Sequence, residues 1–398
     1  MSAPSRVVLP VLWLGGFNLR VTALAVPPVI PEIHRDLGLD YSAIGGLTAL
    51  PTFLLAAAAI PGSLLIARLG ARRALLVGMV VVAVGGALRG AGTATAMLFA
   101  MTLVMGVGVA LSQPAFPTLV KEWTPRRIGF ATALYANGML IGETAAAAAT
   151  GALVLLLGGS WQLGLAVWSI PVVVLIGLAA ARTTDVPVPV DEGPVGRWPD
   201  FRSRQLWMVG LVFGLASAGY WGTNAFVPDF LHATGHAELQ SAALTSVNAC
   251  QLLASALVLA VPGRLVGRSW PFVASGALLA LGCAIIAASP GVGTIVGAGF
   301  VGFTSALTLV LTLALPPLLA GPRDVHTFSA GVFLICYLCA FVGPVVGGAA
   351  WDVVRAPQTP FVVLGLAALG SMTVAAFTSY RPQGPRPVPV PEAEPGAP

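Results

Sequence analysis

The residues best able to do chemistry here are Arg20 and Glu143, because each is a charge embedded in an apolar run. Arg20 occurs in Asn18-Leu19-Arg20, near the middle of the first apolar block. A guanidinium at mid-bilayer depth costs roughly 2.5–3.5 kcal/mol on insertion scales, so it must face a cavity or a partner rather than hydrocarbon. One reading is a fork that holds an anion or a polar oxygen or nitrogen group of a ligand. The other is a structural pair with a helix carbonyl or with Glu143. Glu143 is the carboxylate placed deep in a span, and it suits either a proton carrier or the counter-ion of Arg20.

Polar and aromatic residues recur at mid-span around these two. Gln113, Tyr135 and Asn137 do so in the first half, and Tyr220, Trp221, Asn224, Asn248, Gln251 and Tyr337 in the second. In hydrocarbon each polar group needs a partner, and an interhelical hydrogen bond worth about 0.6 kcal/mol supplies one with no ligand involved. As a set, with Asn18 beside Arg20, they outline a polar-aromatic pocket shared by both halves. Arg89 lies near the outer end of the third block, where it is expected to snorkel to the interface. Asp229, at the outer edge of the seventh, is a candidate gate residue.

The elements that position these residues follow from composition. Of 398 residues 57% are hydrophobic and 9% charged, far below the roughly 25% charge of a soluble domain. Apolar blocks of about 20 residues, the length of a helix crossing a ~30 Å core, predict an all-α membrane protein. Its twelve spans fall near 10–32, 43–67, 74–92, 94–119, 128–157, 161–181, 205–231, 242–262, 270–289, 292–319, 328–350 and 360–380. The first apolar stretch continues past residue 30 with no small-residue cleavage site, so it reads as a retained helix. The polar segment 182–204 is expected to link two six-helix bundles, 1–181 and 205–380, and the Pro-rich stretch 381–398 to be a disordered cytoplasmic tail.

Cations set the sidedness, because Lys and Arg are retained on the cytoplasmic side. With both termini inside, 16 of the 20 cations fall on cytoplasmic segments, among them Arg68, Arg72, Arg73, Lys121, Arg126 and Arg127. The net charge of +5 is therefore a sidedness signal and requires no nucleic acid. The halves also echo each other. Arg68-Leu69-Gly70-Ala71-Arg72-Arg73 and Gly263-Arg264-Leu265-Val266-Gly267-Arg268 both follow the second span of their half, and Pro125-Arg126-Arg127 matches Pro322-Arg323. Related halves permit rocking around a midplane site.

Other patterns carry less. Gly297-Ala298-Gly299-Phe300-Val301-Gly302 matches a dinucleotide fingerprint, yet it lies inside an apolar span with no strand before it, so it reads as close helix packing. His232 and His236 sit in a short outer loop without a third ligand, and no metal site is expected. The four cysteines, Cys250, Cys283, Cys336 and Cys339, fall inside spans as packing residues. No catalytic constellation or phosphate-cradling loop is present in the sequence, so neither an enzyme nor a cofactor is expected.

The turn Arg68-Leu69-Gly70-Ala71-Arg72-Arg73 after Gly62 resembles the cytoplasmic gating motif of the major facilitator superfamily. Asn18-Leu19-Arg20 with Pro27-Pro28 and Pro31, Leu88-Arg89, and Pro117-Thr118-Leu119-Val120-Lys121 leading to Pro125-Arg126-Arg127-Ile128-Gly129 resemble its cyanate and 2-nitroimidazole transporter family. So do Ala133-Leu134-Tyr135 and Tyr337 with Gly343-Pro344 and Trp351-Asp352. Departures from the pattern are Ala67 in place of the motif's acidic residue, Gln113 for an asparagine, and Glu143 for a small residue. The resemblance implies the two-bundle fold, gating by Arg68, Arg72 and Arg73, and substrates that are small anions or small polar heterocycles.

The expectation is a secondary transporter working by alternating access in the cell inner membrane, monomeric, binding a small solute, with a co-transported proton as a candidate second partner. Two alternatives stand beside it. One is an exporter of drug-like aromatic compounds using Tyr220, Trp221 and Trp13; the other is a membrane sensor that transports nothing.

Overall fold

The structure, a computed structural model, describes residues 5–38, 47, 53–92, 94–185, 198–378 and 380. Eleven helices within it are long and apolar enough to cross a membrane, and Ala59–Leu69 is a shorter apolar one. We label the helices α1 (Ser5–Leu24), α2 (Ala59–Leu69), α3 (Ala71–Leu88), α4 (Thr95–Trp123), α5 (Ile128–Leu156) and α6 (Trp161–Arg182). The remainder are α7 (Arg204–Ala233), α8 (Gln240–Ala260), α9 (Trp270–Ala288), α10 (Val292–Leu319), α11 (Val325–Val354) and α12 (Thr359–Ala376). The first part of the expected span 43–67, most of the linker and the tail from 381 lie outside the described residues.

Local chemistry sets the helix ends. Ser160 and Ser203 cap α6 and α7, accepting from Leu163 N at 3.2 Å and Leu206 N at 3.4 Å, which satisfies one otherwise orphaned donor in each first turn. Gly70 turns the chain between α2 and α3 at φ 82°, and Gly267 does the same between α8 and α9 at φ 75°. A residue with a Cβ rarely adopts that backbone. Helix α4 breaks between Ser112 and Ala115 at Pro114, and α10 breaks at Ala314 before Pro316 and Pro317. Proline removes a helix hydrogen bond, so the fourth helix of each set of six is jointed.

Packing repeats with the same offset. Helices α1 and α5 pair as α7 and α11 do, α3 and α4 as α9 and α10, and α3 and α6 as α9 and α12. Large apolar side chains such as Leu155 (78%), Leu156 (81%) and Val353 (84%) are exposed, while Asn18, Ser63 and Arg89 are fully buried. This inverts a soluble protein's surface, as expected where lipid is the solvent.

Arg89 corrects the snorkelling expectation. It is 0% exposed, its Nη2 donates to Thr22 O at 2.9 Å, and neighbouring helices enclose it. Proximity to a helix end leads to the interface only where no other helix covers that end.

The two sets of six meet along α5 and α8, and again at the face carrying Arg72 and Arg126, here called the basic face. There Ser63 Oγ on α2 lies 2.8 Å from His326 Nδ1 on α11, and Lys121 Nζ donates to Ala320 O. Both contacts join one half to the other, so the molecule is closed on this side. Ser63→Ala would leave His326 Nδ1 buried and unpaired, which costs about 1–3 kcal/mol. Labelling of a cysteine placed at Ala330, one turn further along α11, is expected to rise roughly tenfold in a background lacking the four native cysteines. Unchanged labelling would show that the pair does not hold this face shut.

Candidate functional site

Helices α1 and α5 touch through backbone. A Cβ on Gly16 would lie 2.0 Å from Tyr135 O, one on Gly138 would lie 2.2 Å from Trp13 O, and one on Gly142 would lie 2.3 Å from Phe17 O. Small residues let two helices approach this closely in lipid. The contact carries Arg20 on α1 and Glu143 on α5 into one cavity of about 40 Å³. Helix α7 supplies Ser217, Tyr220 and Trp221 to its wall, α8 supplies Gln251, α10 supplies Ser305, and α11 supplies Cys336 and Tyr337.

Two hydrogen-bond systems order this wall. The Tyr220 hydroxyl donates to the Glu143 carboxylate, with Asn248 Oδ1 3.0 Å from the same oxygen. Gln251 Nε2 donates to Asn248 Oδ1 at 3.0 Å and to the Tyr220 oxygen at 3.3 Å. On the other side Gln113 Nε2 donates to the Tyr337 hydroxyl at 2.7 Å. Glu143 with Tyr220 joins α5 to α7, and Gln113 with Tyr337 joins α4 to α11, so both systems cross from one half to the other.

Arg20 behaves differently. The ion pairs among the described residues are Arg35 with Asp36, and Arg72 and Arg73 with Asp185; none includes Arg20. Glu143 shares its cavity without forming an ion pair with it. A guanidinium that lines a cavity and forms no ion pair among the described residues can bind a planar anion or a polar edge through two parallel N–H bonds. Glu143 is the carboxylate among the lining residues.

Not every residue of the sequence-derived set reaches this cavity. Asn18 is buried and its Nδ2 donates to Pro171 O on α6 at 3.0 Å. Tyr135 stacks on Phe116 with ring centroids 5.5 Å apart. Asn137 accepts from Trp13 Nε1 and donates to Ser255 Oγ, both at 3.1 Å. Asn224 donates to Tyr220 O within its own helix at 2.9 Å. At the basic face, Arg72 Nε donates to Thr183 Oγ1 at 2.9 Å, and Arg73 Nε lies 3.2 Å from Asp185 Oδ2. These two therefore tie α3 to the end of α6 within one half, while Arg68 and Asp229 are exposed at the two ends of the molecule.

Ser217 and Ser305 line the cavity although neither is among the sequence-derived candidates, and Cys336, expected only as a packing residue, lines it as well. Ser217 lies on the same helical face as Tyr220 and Trp221, at offsets of three and four, so a face plot of α7 finds it. Ser305 sits among α10 hydroxyls such as Thr304, which bonds back to Phe300 O at 2.7 Å, and residue type alone does not separate the two.

The sequence profile of the Major Facilitator Superfamily matches residues 12–265. The chain belongs to the Major Facilitator Superfamily. It is a multi-pass membrane transporter with that all-α fold, not an enzyme. It is 28% identical over 267 residues to the cyanate transport protein CynX of Escherichia coli (strain K12), covering 65% of this chain and 67% of that one. With the 2-nitroimidazole transporter of the same organism it is 26% identical over 389 residues, 95% of this chain and 96% of the other. Among solved structures, the human organic anion transporter MFSD10 superposes with a TM-score of 0.77 at 15% identity, over 94% of this chain and 99% of that one. The cavity lies between the two six-helix halves, lined by α1 and α5 of one and by α7, α8, α10 and α11 of the other.

Proposed function

We propose that the chain is a secondary active transporter of a small anion or small nitrogen heterocycle, of the cyanate class, coupled to a proton carried by Glu143. The observation that carries this reading is Arg20 and Glu143 lining one cavity of about 40 Å³ within the spans. A cavity of this size suits a solute of a few atoms. The names of the two Escherichia coli relatives, one for cyanate and one for 2-nitroimidazole, support the same substrate range. The halves, 1–181 and 205–380, rock about the cavity, the termini face the cytoplasm, and the membrane is the inner one, a reading supported by the cation distribution.

Charge balance supplies the coupling. With Glu143 ionised, the lining charges of Arg20 and Glu143 cancel, and an entering anion would leave one uncompensated negative charge. An unpaired buried charge costs several kcal/mol. A proton on Glu143 removes that cost, so anion and proton are carried most easily together. The protonated carboxyl then donates to the Tyr220 oxygen instead of accepting from it, which reorganises the bond linking α5 to α7.

Labelled cyanate uptake into proteoliposomes under an imposed inward proton gradient tests this. Wild type is expected to accumulate the anion. Glu143→Gln is expected to keep anion exchange at equal pH while losing gradient-driven accumulation by about tenfold, the equivalent of about 1.4 kcal/mol. Accumulation by the variant at the wild-type level would remove Glu143 from coupling, and absence of any anion flux in wild type would remove the substrate assignment.

A further inference from the structure

The basic face carries a second cavity, of about 580 Å³, well away from the central one. One wall is the corner between α4 and α5, with Arg126, Arg127 and Phe130; the other is the segment after α8, with Pro262 and Val266, and Leu318 at the end of α10. The two walls belong to different halves. They pack closely at one point, where a Cβ on Gly129 would meet Val266 Cγ2 at 3.3 Å. Arg126 and Arg127 are exposed, neither belongs to an ion pair among the described residues, and no carboxylate lines the groove. Arg264 and Arg268 flank it, exposed on the opposite wall's segment.

A groove that pairs two uncompensated guanidiniums with an apolar floor, at the rim of a membrane protein, matches an amphiphile with one negative head. Phosphate is recognised by forked guanidinium donors, and basic pockets between helices on this side of a membrane suit anionic lipid heads. We propose that the groove binds an anionic phospholipid such as phosphatidylglycerol. Its phosphate sits between Arg126 and Arg127, and an acyl chain lies along Phe130, Val266 and Leu318. Because the lipid touches both halves at the face that is closed in this structure, it stabilises that closed arrangement. A soluble acidic peptide would leave the apolar floor uncovered, and free phosphate would leave it empty.

The test is native mass spectrometry and thermal unfolding of the full-length chain, delipidated and then supplied with phosphatidylglycerol, phosphatidylcholine or millimolar inorganic phosphate. Wild type is expected to retain a phosphatidylglycerol through activation that strips phosphatidylcholine, and to unfold at a higher temperature with the former. In Arg126→Gln/Arg127→Gln that retention is expected to fall at least fivefold. Arg202→Gln/Arg204→Gln, which removes two exposed cations outside the groove, is expected to retain it. Equal retention by wild type and the Arg126/Arg127 variant, or an equal loss in both variants, would overturn the site. Stabilisation by inorganic phosphate alone would overturn the lipid as its occupant.

Discussion

Replacing Arg20 by glutamine is expected to lower the initial rate of cyanate uptake at sub-saturating concentration by about two orders of magnitude, while purified protein stays monodisperse. A hydrogen bond to a charged group contributes about 1.5–3 kcal/mol, and a factor of 100 corresponds to about 2.8 kcal/mol, so loss of one charged fork accounts for the effect. Glutamine keeps polarity and approximate length but not the charge. Arg20→Lys keeps the charge but not the planar fork, and a loss of roughly tenfold is expected of it. Folding should survive both changes, because Arg20 makes no ion pair among the described residues, lysine keeps the charge, and the Glu143 carboxylate left by glutamine is neutralised by the proton it is proposed to carry. Uptake by Arg20→Gln within twofold of wild type would remove Arg20 from substrate binding.

Gly16→Val is expected to have a larger effect on the molecule itself. The added Cβ would stand 2.0 Å from Tyr135 O, and the obstacle is backbone, which no rotamer change relieves. Overpacking in a deformable core costs about 1–3 kcal/mol; here α1 and α5 must separate, and the expected cost lies above that range. The readout is loss of monodisperse protein in detergent, or a fall in Tm of about 10 °C or more where some survives, taking about 2–4 °C per kcal/mol. Gly151→Val on α5 is the matched control. Nothing lies within 4 Å of its added Cβ, and valine there is expected to be tolerated. Equal behaviour of the two variants would show that α1 and α5 are not held by this contact.

Much of the fold is legible in the sequence because lipid imposes simple demands. Each span needs about 20 apolar residues, each turn on the basic face needs cations, and Gly70 and Gly267 mark matching turns. Arg20 and Glu143 are legible as candidates because a charge in an apolar run has few inexpensive surroundings. What the sequence conceals is rotation about each helix axis. Asn18 and Arg20 are two residues apart, hence about 200° apart around a helix, so they face different neighbours. Tyr135 and Asn137 are separated in the same way, and a face plot would have divided both pairs. The Ser63 and His326 contact spans 263 residues of sequence, and neither residue carries a local signal. The depth of Arg89 depends on how other helices cover the end of α3, which its own segment does not encode.

The backbone seam between α1 and α5 has a last consequence. Two helices locked oxygen-to-glycine at three points form one strut, so Arg20 and Glu143, the proposed anion cradle and proton carrier riding on it, would keep a constant gap whichever way the molecule opened. Tyr220 and Tyr337, mounted on α7 and α11, would then be the parts that travel past that strut. Stoichiometry would then be enforced by a fixed ruler on one side and a moving reader on the other, and loosening the seam should first appear as slippage of protons without cargo.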